Sequence, residues 1–214
     1  MTTDDDHPPT IGTAIVTTGA HGVGREVVRL LARRGHDVVV GYADERVAAD
    51  VVVDEVLAGG GNAVTLRADV ADEHDVARLF AETVAAFGGV DIVVHAPVFA
   101  ALDPVPAAGD DVAAFDAVQR AVVRSTFLVG RQAVRHVRGG GRMVVVAGPA
   151  SDATAPTGIG ATAGRAAVEA MTRVLAGELA GRGATATAVV PGPDGQGIAA
   201  AVARAVAHLV DAPG

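Results

Sequence analysis

The sequence predicts an α/β fold: a doubly wound parallel sheet of six strands between two helix layers, a three-layer αβα domain. Three observations predict it. Short β-branched runs alternate with stretches of helical periodicity along nearly the whole chain. A glycine-rich turn, TGAHGVG, directly follows the first of those runs. Of the 214 residues, 50% are apolar, enough for one buried core. Strands joined by helical crossovers pair in parallel, and right-handed crossovers place the ligand crevice at the carboxyl ends of the strands, where the strand order reverses.

The elements follow in order. Residues 11–17 form the first strand, and REVVRLLARRG carries apolar residues at helical spacing up to Gly35. Residues 37–40 are the second strand, 45–57 a helix, and 63–66 the third strand. Asp72 caps a helix that runs to Phe87, and the almost wholly apolar residues 90–94 read as a strand buried on both faces. A long helix over 111–137, a strand at 143–146, a helix over 162–180, a strand at 185–190 and a last helix, IAAAVARAVAHLV, complete the pattern. Residues 1–10, MTTDDDHPPT, are expected to be a disordered acidic tail, with 11–214 as a single domain.

Composition excludes several classes of function. The net charge of -8 and the scattering of arginines along helices argue against a nucleic-acid partner. No apolar run reaches the roughly 20 residues of a membrane helix, so a cytoplasmic protein is expected. Without cysteine there are no disulfides or thiolate nucleophiles, and the dispersed histidines predict no metal site. Lysine is absent altogether and Tyr42 is the single tyrosine.

Gly19, Gly22 and Gly24 lie between a strand and a helix amino terminus, where glycine lets backbone amides approach a pyrophosphate. AIVTTGAHGVGREV, which includes Val23, resembles the cofactor turn T-G-x-x-x-G-x-G of the short-chain dehydrogenase/reductase family, which implies a Rossmann-like fold. Aligned without gaps from Ala14, the family's first glycine falls on Thr18, with Gly19 displaced by one position. The resemblance also implies an adenine pocket at Asp69 and Val70, although Asp69 reads equally as a helix cap. Tyr42 falls where an acidic residue would bind a ribose 2′-hydroxyl, and Arg46 is the nearest cation for a 2′-phosphate, so NADP(H) is favoured over NAD(H). After the fourth strand the family's N-N-A-G is replaced by His95, Ala96, Pro97 and Val98, which removes one amide donor and adds a titratable ring.

The segment from GGGRMVVVAGPAS through GIGATAGRAAVEAMTR to Pro191-Gly192 resembles the family's catalytic half. Registered on Val168 to Arg173, the family's tyrosine falls on Ala161, its lysine on Arg165, its serine on Gly148 and its asparagine on Val122. Alanine and glycine donate no side-chain proton. Arg165 keeps a charge for ribose or phosphate, but its high pKa prevents it from relaying protons. His21 and His95, with Asp103, Ser151, Asp152 or Thr162 nearby, are candidates for a substitute acid or base. Ser151 lacks a nucleophile elbow, and Asp110 and Asp111 read as a helix cap. After Pro191-Gly192 the chain passes through PDGQG almost directly into the last helix, so the family's substrate lid and seventh strand are expected to be missing and the sixth strand to be an open edge.

Two functional readings follow. The first is a non-reducing member of the family, a pseudoenzyme that binds a dinucleotide or small metabolite weakly, or scaffolds an active relative. The long helices over 111–137 and 162–180, rich in small residues, would pack across a homodimer or heterodimer axis. The alternative is an enzyme: an NADP-dependent oxidoreductase resembling 3-oxoacyl carrier-protein reductases, to which the segment 41–76 is most similar, or a non-redox cyclase, dehydratase or isomerase using the emptied crevice.

Overall fold

Valine and isoleucine runs too short for helices form the centre of the sheet. The structure, a computed structural model, describes residues 11–97, 112–148, 158–191 and 198–211. Its elements are β1 (Gly12–Val16), α1 (Gly22–Arg33), β2 (His36–Tyr42), α2 (Arg46–Ala58), β3 (Ala63–Arg67), α3 (Glu73–Phe87) and β4 (Val90–His95). Then come α4 (Val112–Val118), a π-helical segment (Gln119–Arg124), α5 (Ser125–His136), β5 (Val137–Val146), α6 (Ile159–Ala180), β6 (Thr185–Val189) and α7 (Ile198–Asp211). The sheet order is β3-β2-β1-β4-β5-β6, parallel throughout, with Ala14 paired to Val38 on one side and Ile92 on the other. The order reverses beside β1, so the crevice opens between the carboxyl ends of β1 and β4.

Alternate residues of each inner strand enter different cores. Ala14, Val16, Val38, Val40 and Val94 pack with α1, α2 and α7, through Val28, Leu31, Val52 and Val206. Ile15, Val39, Val93, Met143 and Val145 pack with α3, α5 and α6, through Leu79, Phe80, Val129 and Val168. Asp72 caps α3, its carboxylate accepting from the amides of His74 and Asp75 at 2.9 and 3.0 Å. Arg25 and Arg29 both bind Glu55 and tie α1 to α2.

Several boundaries differ from expectation. The helix expected over 111–137 is broken by the π-helical segment, and its last turn ends at His136. The strand expected at 143–146 begins at Val137, because three glycines form a wide bulge: Val90 pairs Val137 and Ile92 pairs Arg142. Gly140 sits at φ +78, and a Cβ on Gly141 would lie 2.5 Å from the Asp91 carbonyl oxygen. Strand β2 continues to Tyr42, α1 begins at Gly22 and α6 at Ile159.

The small residues expected to serve a dimer are in part filled within the chain. Leu175 covers Gly130, Val122 covers Gly164, and Phe115 and Val118 lie over Gly160. These glycines let α4, the π-helical segment and α5 approach α6 closely. Among the described residues no helix is long and apolar enough to cross a membrane.

Candidate functional site

The turn from β1 into α1 is shaped by two glycines. A Cβ on Gly24 would lie 1.8 Å from the Thr18 carbonyl oxygen, so only glycine fits there. Gly22 adopts φ +51, and nothing lies within 4 Å of where its Cβ would stand. The His21 side chain does not cap α1, which leaves the leading amides of that helix for a ligand. An anion therefore has both space and donors at this turn.

Gly19 has a different role from the one expected. A Cβ there would meet Val40 at 2.8 Å and Val28 at 3.1 Å, and its amide donates to the Gly41 carbonyl at 2.9 Å. It closes the strand-to-helix packing and does not face the crevice. Thr18 faces the crevice instead, and its hydroxyl donates to the Ala96 carbonyl at 2.9 Å, which ties the turn to the end of β4.

A cavity of about 620 Å³ spreads over the carboxyl ends of the strands, within the usual range of about 300–1,000 Å³ for ligand pockets. Thr18, His21, Gly22, Val23 and Gly24 form its wall at α1. Tyr42, Glu45, Asp69 and Val70 form the wall at β2 and β3. Ala96, Pro97, Val146, Gly148 and Pro191 form the apolar far wall. Gly41, one residue before the end of β2, also lines it, and a Cβ there would come 2.8 Å from the Thr17 carbonyl oxygen.

Some candidate residues stand elsewhere. Arg46 is not in the lining; its side chain is 74% exposed and pairs with Asp50 at 3.3 Å. Glu45, which sequence reasoning passed over, lines the cavity in its place. Tyr42 is mostly buried in the core, with its edge on the cavity. Asp69 does not cap α3, whose cap is Asp72; one of its oxygens accepts from the Ala71 amide at 2.8 Å in the turn before the helix, the other from Arg120 at 2.7 Å, and the residue lines the cavity.

His95 does not face His21. It is fully buried, with Nδ1 2.9 Å from Thr17 Oγ1 and Nε2 3.2 Å from Ser125 Oγ. Ser125 donates its own proton to the Ala121 carbonyl at 2.6 Å, so Nε2–H donates to Ser125 and Nδ1 accepts from Thr17. That arrangement satisfies a neutral ring, and burial pushes its pKa down to about 3. A base in the crevice cannot be built from it. His21 stands exposed on the rim.

Val122 is fully buried against Gly164 and does not reach the cavity. Gly148 lines it with φ +53, a left-handed backbone that disfavours any other residue. Ala161 is half-buried in the first turn of α6, and Thr162 is exposed one residue later. Arg165 is absent from the lining and binds Glu169 at 3.1 Å. Gly192, Asp103, Asp110, Asp111, Ser151 and Asp152 lie outside the described residues. Among the described residues no three acidic or histidine side chains form a metal-binding group.

A sequence model of the family described as enoyl-(acyl carrier protein) reductase matches residues 18–210. Versicolorin reductase stcU of Emericella nidulans is 33% identical over 193 residues, covering 90% of this chain and 72% of that protein. The chain belongs to the short-chain dehydrogenase/reductase family. A dehydrogenase/reductase from Sinorhizobium meliloti superposes with a TM-score of 0.82 at 31% identity, over 92% of this chain and 88% of its own. A dehydrogenase from Burkholderia cenocepacia, solved with bound NADP, gives a TM-score of 0.79 at 27% identity, over 87% of this chain and 71% of its own. The six-stranded parallel sheet described above is Rossmann-like, as in these solved relatives.

The geometry fits a dinucleotide. The turn offers backbone amides, a left-handed glycine and room for a pyrophosphate, and the cavity runs from there to both sides of the switch point.

Proposed function

We propose that this chain holds a nicotinamide dinucleotide in the 620 Å³ cavity and does not carry out tyrosine-dependent carbonyl reduction. The observation that carries the reading is the chemistry of the far wall, which among the described residues is Ala96, Pro97, Val146, Gly148 and Pro191, none with a side-chain proton donor. By the register on Val168 to Arg173, the tyrosine position is Ala161 and the lysine position Arg165, whose guanidinium is engaged by Glu169. A bound nicotinamide supplies hydride chemistry. The residues of this chain then bind and orient: the amides at Gly22 to Gly24 hold the pyrophosphate, and Asp69 and Val70 bound the adenine side.

Losing a placed general acid lowers a rate by about 10²–10⁴. Arg165, with its high pKa, cannot restore the proton path. In the scaffolding form of this reading, a second copy or an active relative packs on α6, where Ala163, Ala166, Ala170 and Val174 are exposed.

A second reading, an NADP-dependent ketoreductase, is supported by the relatives, which are named reductases and dehydrogenases. In it the proton comes from solvent or from a segment outside the described residues. Titration of the purified chain with NADH and NADPH, followed by absorbance at the nicotinamide band with a panel of ketones and acetoacetyl thioesters, separates the two. Binding without oxidation is expected. Steady carbonyl-dependent oxidation establishes the ketoreductase reading.

A further inference from the structure

We propose that the cavity recognises its ligand through the adenosine diphosphate half alone, so that it takes adenosine 5′-diphosphates as a class, ADP and ADP-ribose included, and gains no affinity from a nicotinamide end. The inference rests on the dinucleotide reading above and names the part of the ligand that is read. Its basis is the one-sided chemistry of the lining. Thr17, Thr18, His21, Tyr42, Glu45 and Asp69 carry the polar side chains of the described lining, and all stand just past β1, in the glycine turn or at the β2 and β3 wall. The far wall and Ala121 bring none among the described residues.

Backbone groups repeat the asymmetry. At the turn, the leading amides of α1 have no side-chain cap and Gly22 leaves open space beside them, so a pyrophosphate meets donors and the positive end of a helix. On the far side Pro97 and Pro191 have no amide hydrogen, the Ala147 amide donates to the Val189 carbonyl at 2.9 Å, and the Ala96 carbonyl accepts from Thr18 at 2.9 Å. Arg165 is engaged by Glu169 at 3.1 Å and stands outside the lining. A nicotinamide carries a carboxamide, and its ribose carries hydroxyls. Against this wall those groups would give up water without gaining partners, which cancels what burial of the ring contributes. The adenosine diphosphate half keeps its donors whatever follows the second phosphate. Binding is then indifferent to the oxidation state of a nicotinamide.

The test is calorimetric titration of the full chain with NADH and NADPH, and with the counterpart of each that lacks the nicotinamide, ADP-ribose and 2′-phospho-ADP-ribose. Each dinucleotide and its counterpart should have dissociation constants within about threefold of one another, and NAD⁺ should match NADH equally closely. ADP should bind within about tenfold of ADP-ribose. Nicotinamide mononucleotide should displace none of them. Gly22→Ala, which strains the turn at φ +51, should weaken a dinucleotide and its counterpart by one common factor, with circular dichroism to check folding. A dinucleotide that binds more than about tenfold tighter than its counterpart overturns this inference and leaves the dinucleotide reading standing. So does displacement of NADH by nicotinamide mononucleotide. Failure of both NADH and NADPH to bind overturns the dinucleotide reading itself, and this inference with it.

Discussion

His95 Nδ1 accepts a hydrogen bond from Thr17 Oγ1 at 2.9 Å, joining the carboxyl ends of β4 and β1 beneath the crevice. The ring is neutral, fully buried and held on its other side by Ser125 at 3.2 Å. Two strands that diverge around a ligand site are thereby fixed to each other by a polar pin in an apolar sheet.

This pin has a pH signature. The folded-state pKa is lowered from 6.5 to about 3, so between those values the unfolded chain takes up a proton that the folded chain refuses. Stability therefore falls as pH drops through that window, with His95 contributing a slope of about 1.4 kcal/mol per pH unit. Urea unfolding at several pH values should show a slope smaller by that amount in His95→Asn. The lowered pKa of His136 acts in the same direction, and those of Glu55, Glu73 and Asp75 act at lower pH; all are common to both proteins and cancel in the difference. Parallel slopes would show that His95 is not buried neutral.

The glycine turn separates packing from ligand approach. Gly24→Ala forces a Cβ to within 1.8 Å of a backbone oxygen, and a loss of about 1–3 kcal/mol or more is expected by denaturant unfolding. Dinucleotide binding should be lost with it. Gly19→Ala meets the side chains of Val40 and Val28 instead, so stability should fall while the affinity of the remaining folded protein is largely retained.

Restoring the acid tests the register of α6. Ala161→Tyr with Arg165→Lys should raise carbonyl-dependent NADH oxidation by about 10²–10⁴ over the unaltered chain. Adding Gly148→Ser should cost about 1–2 kcal/mol in stability, because that position holds φ +53. A double variant that binds dinucleotide as before and remains inert would mean that Ala161 does not face the reacting carbon.

Arg165→Ala should leave dinucleotide affinity unchanged, since the guanidinium pairs with Glu169 away from the cavity lining. The pair is an i,i+4 contact on a helix, and its removal should change stability by no more than about 0.5 kcal/mol. A marked loss of affinity on calorimetry would return Arg165 to the site.

The parallel doubly wound sheet, its order of elements and the glycine turn between β1 and α1 were all legible from residue pattern, because periodicity and glycine placement act locally. So was the cap at Asp72, whose partners lie two and three residues away. Residues 137–142 were not, since a glycine triplet has no strand propensity; it bulges out between the pairs Val90–Val137 and Ile92–Arg142 that β4 makes on either side of it. The sequence likewise could not separate Gly19 from Gly24, or Arg46 from Glu45: both pairs are distinguished by what other elements bring within reach. His95 is the clearest case. Its position after β4 suggested a crevice base, but Thr17 and Ser125, distant in sequence, enclose it and hold it neutral. Local chemistry determined the scaffold and the glycine turn at the end of its first strand. Long-range packing determined which side chains line the cavity, because burial and ion pairing depend on neighbours that no single segment contains.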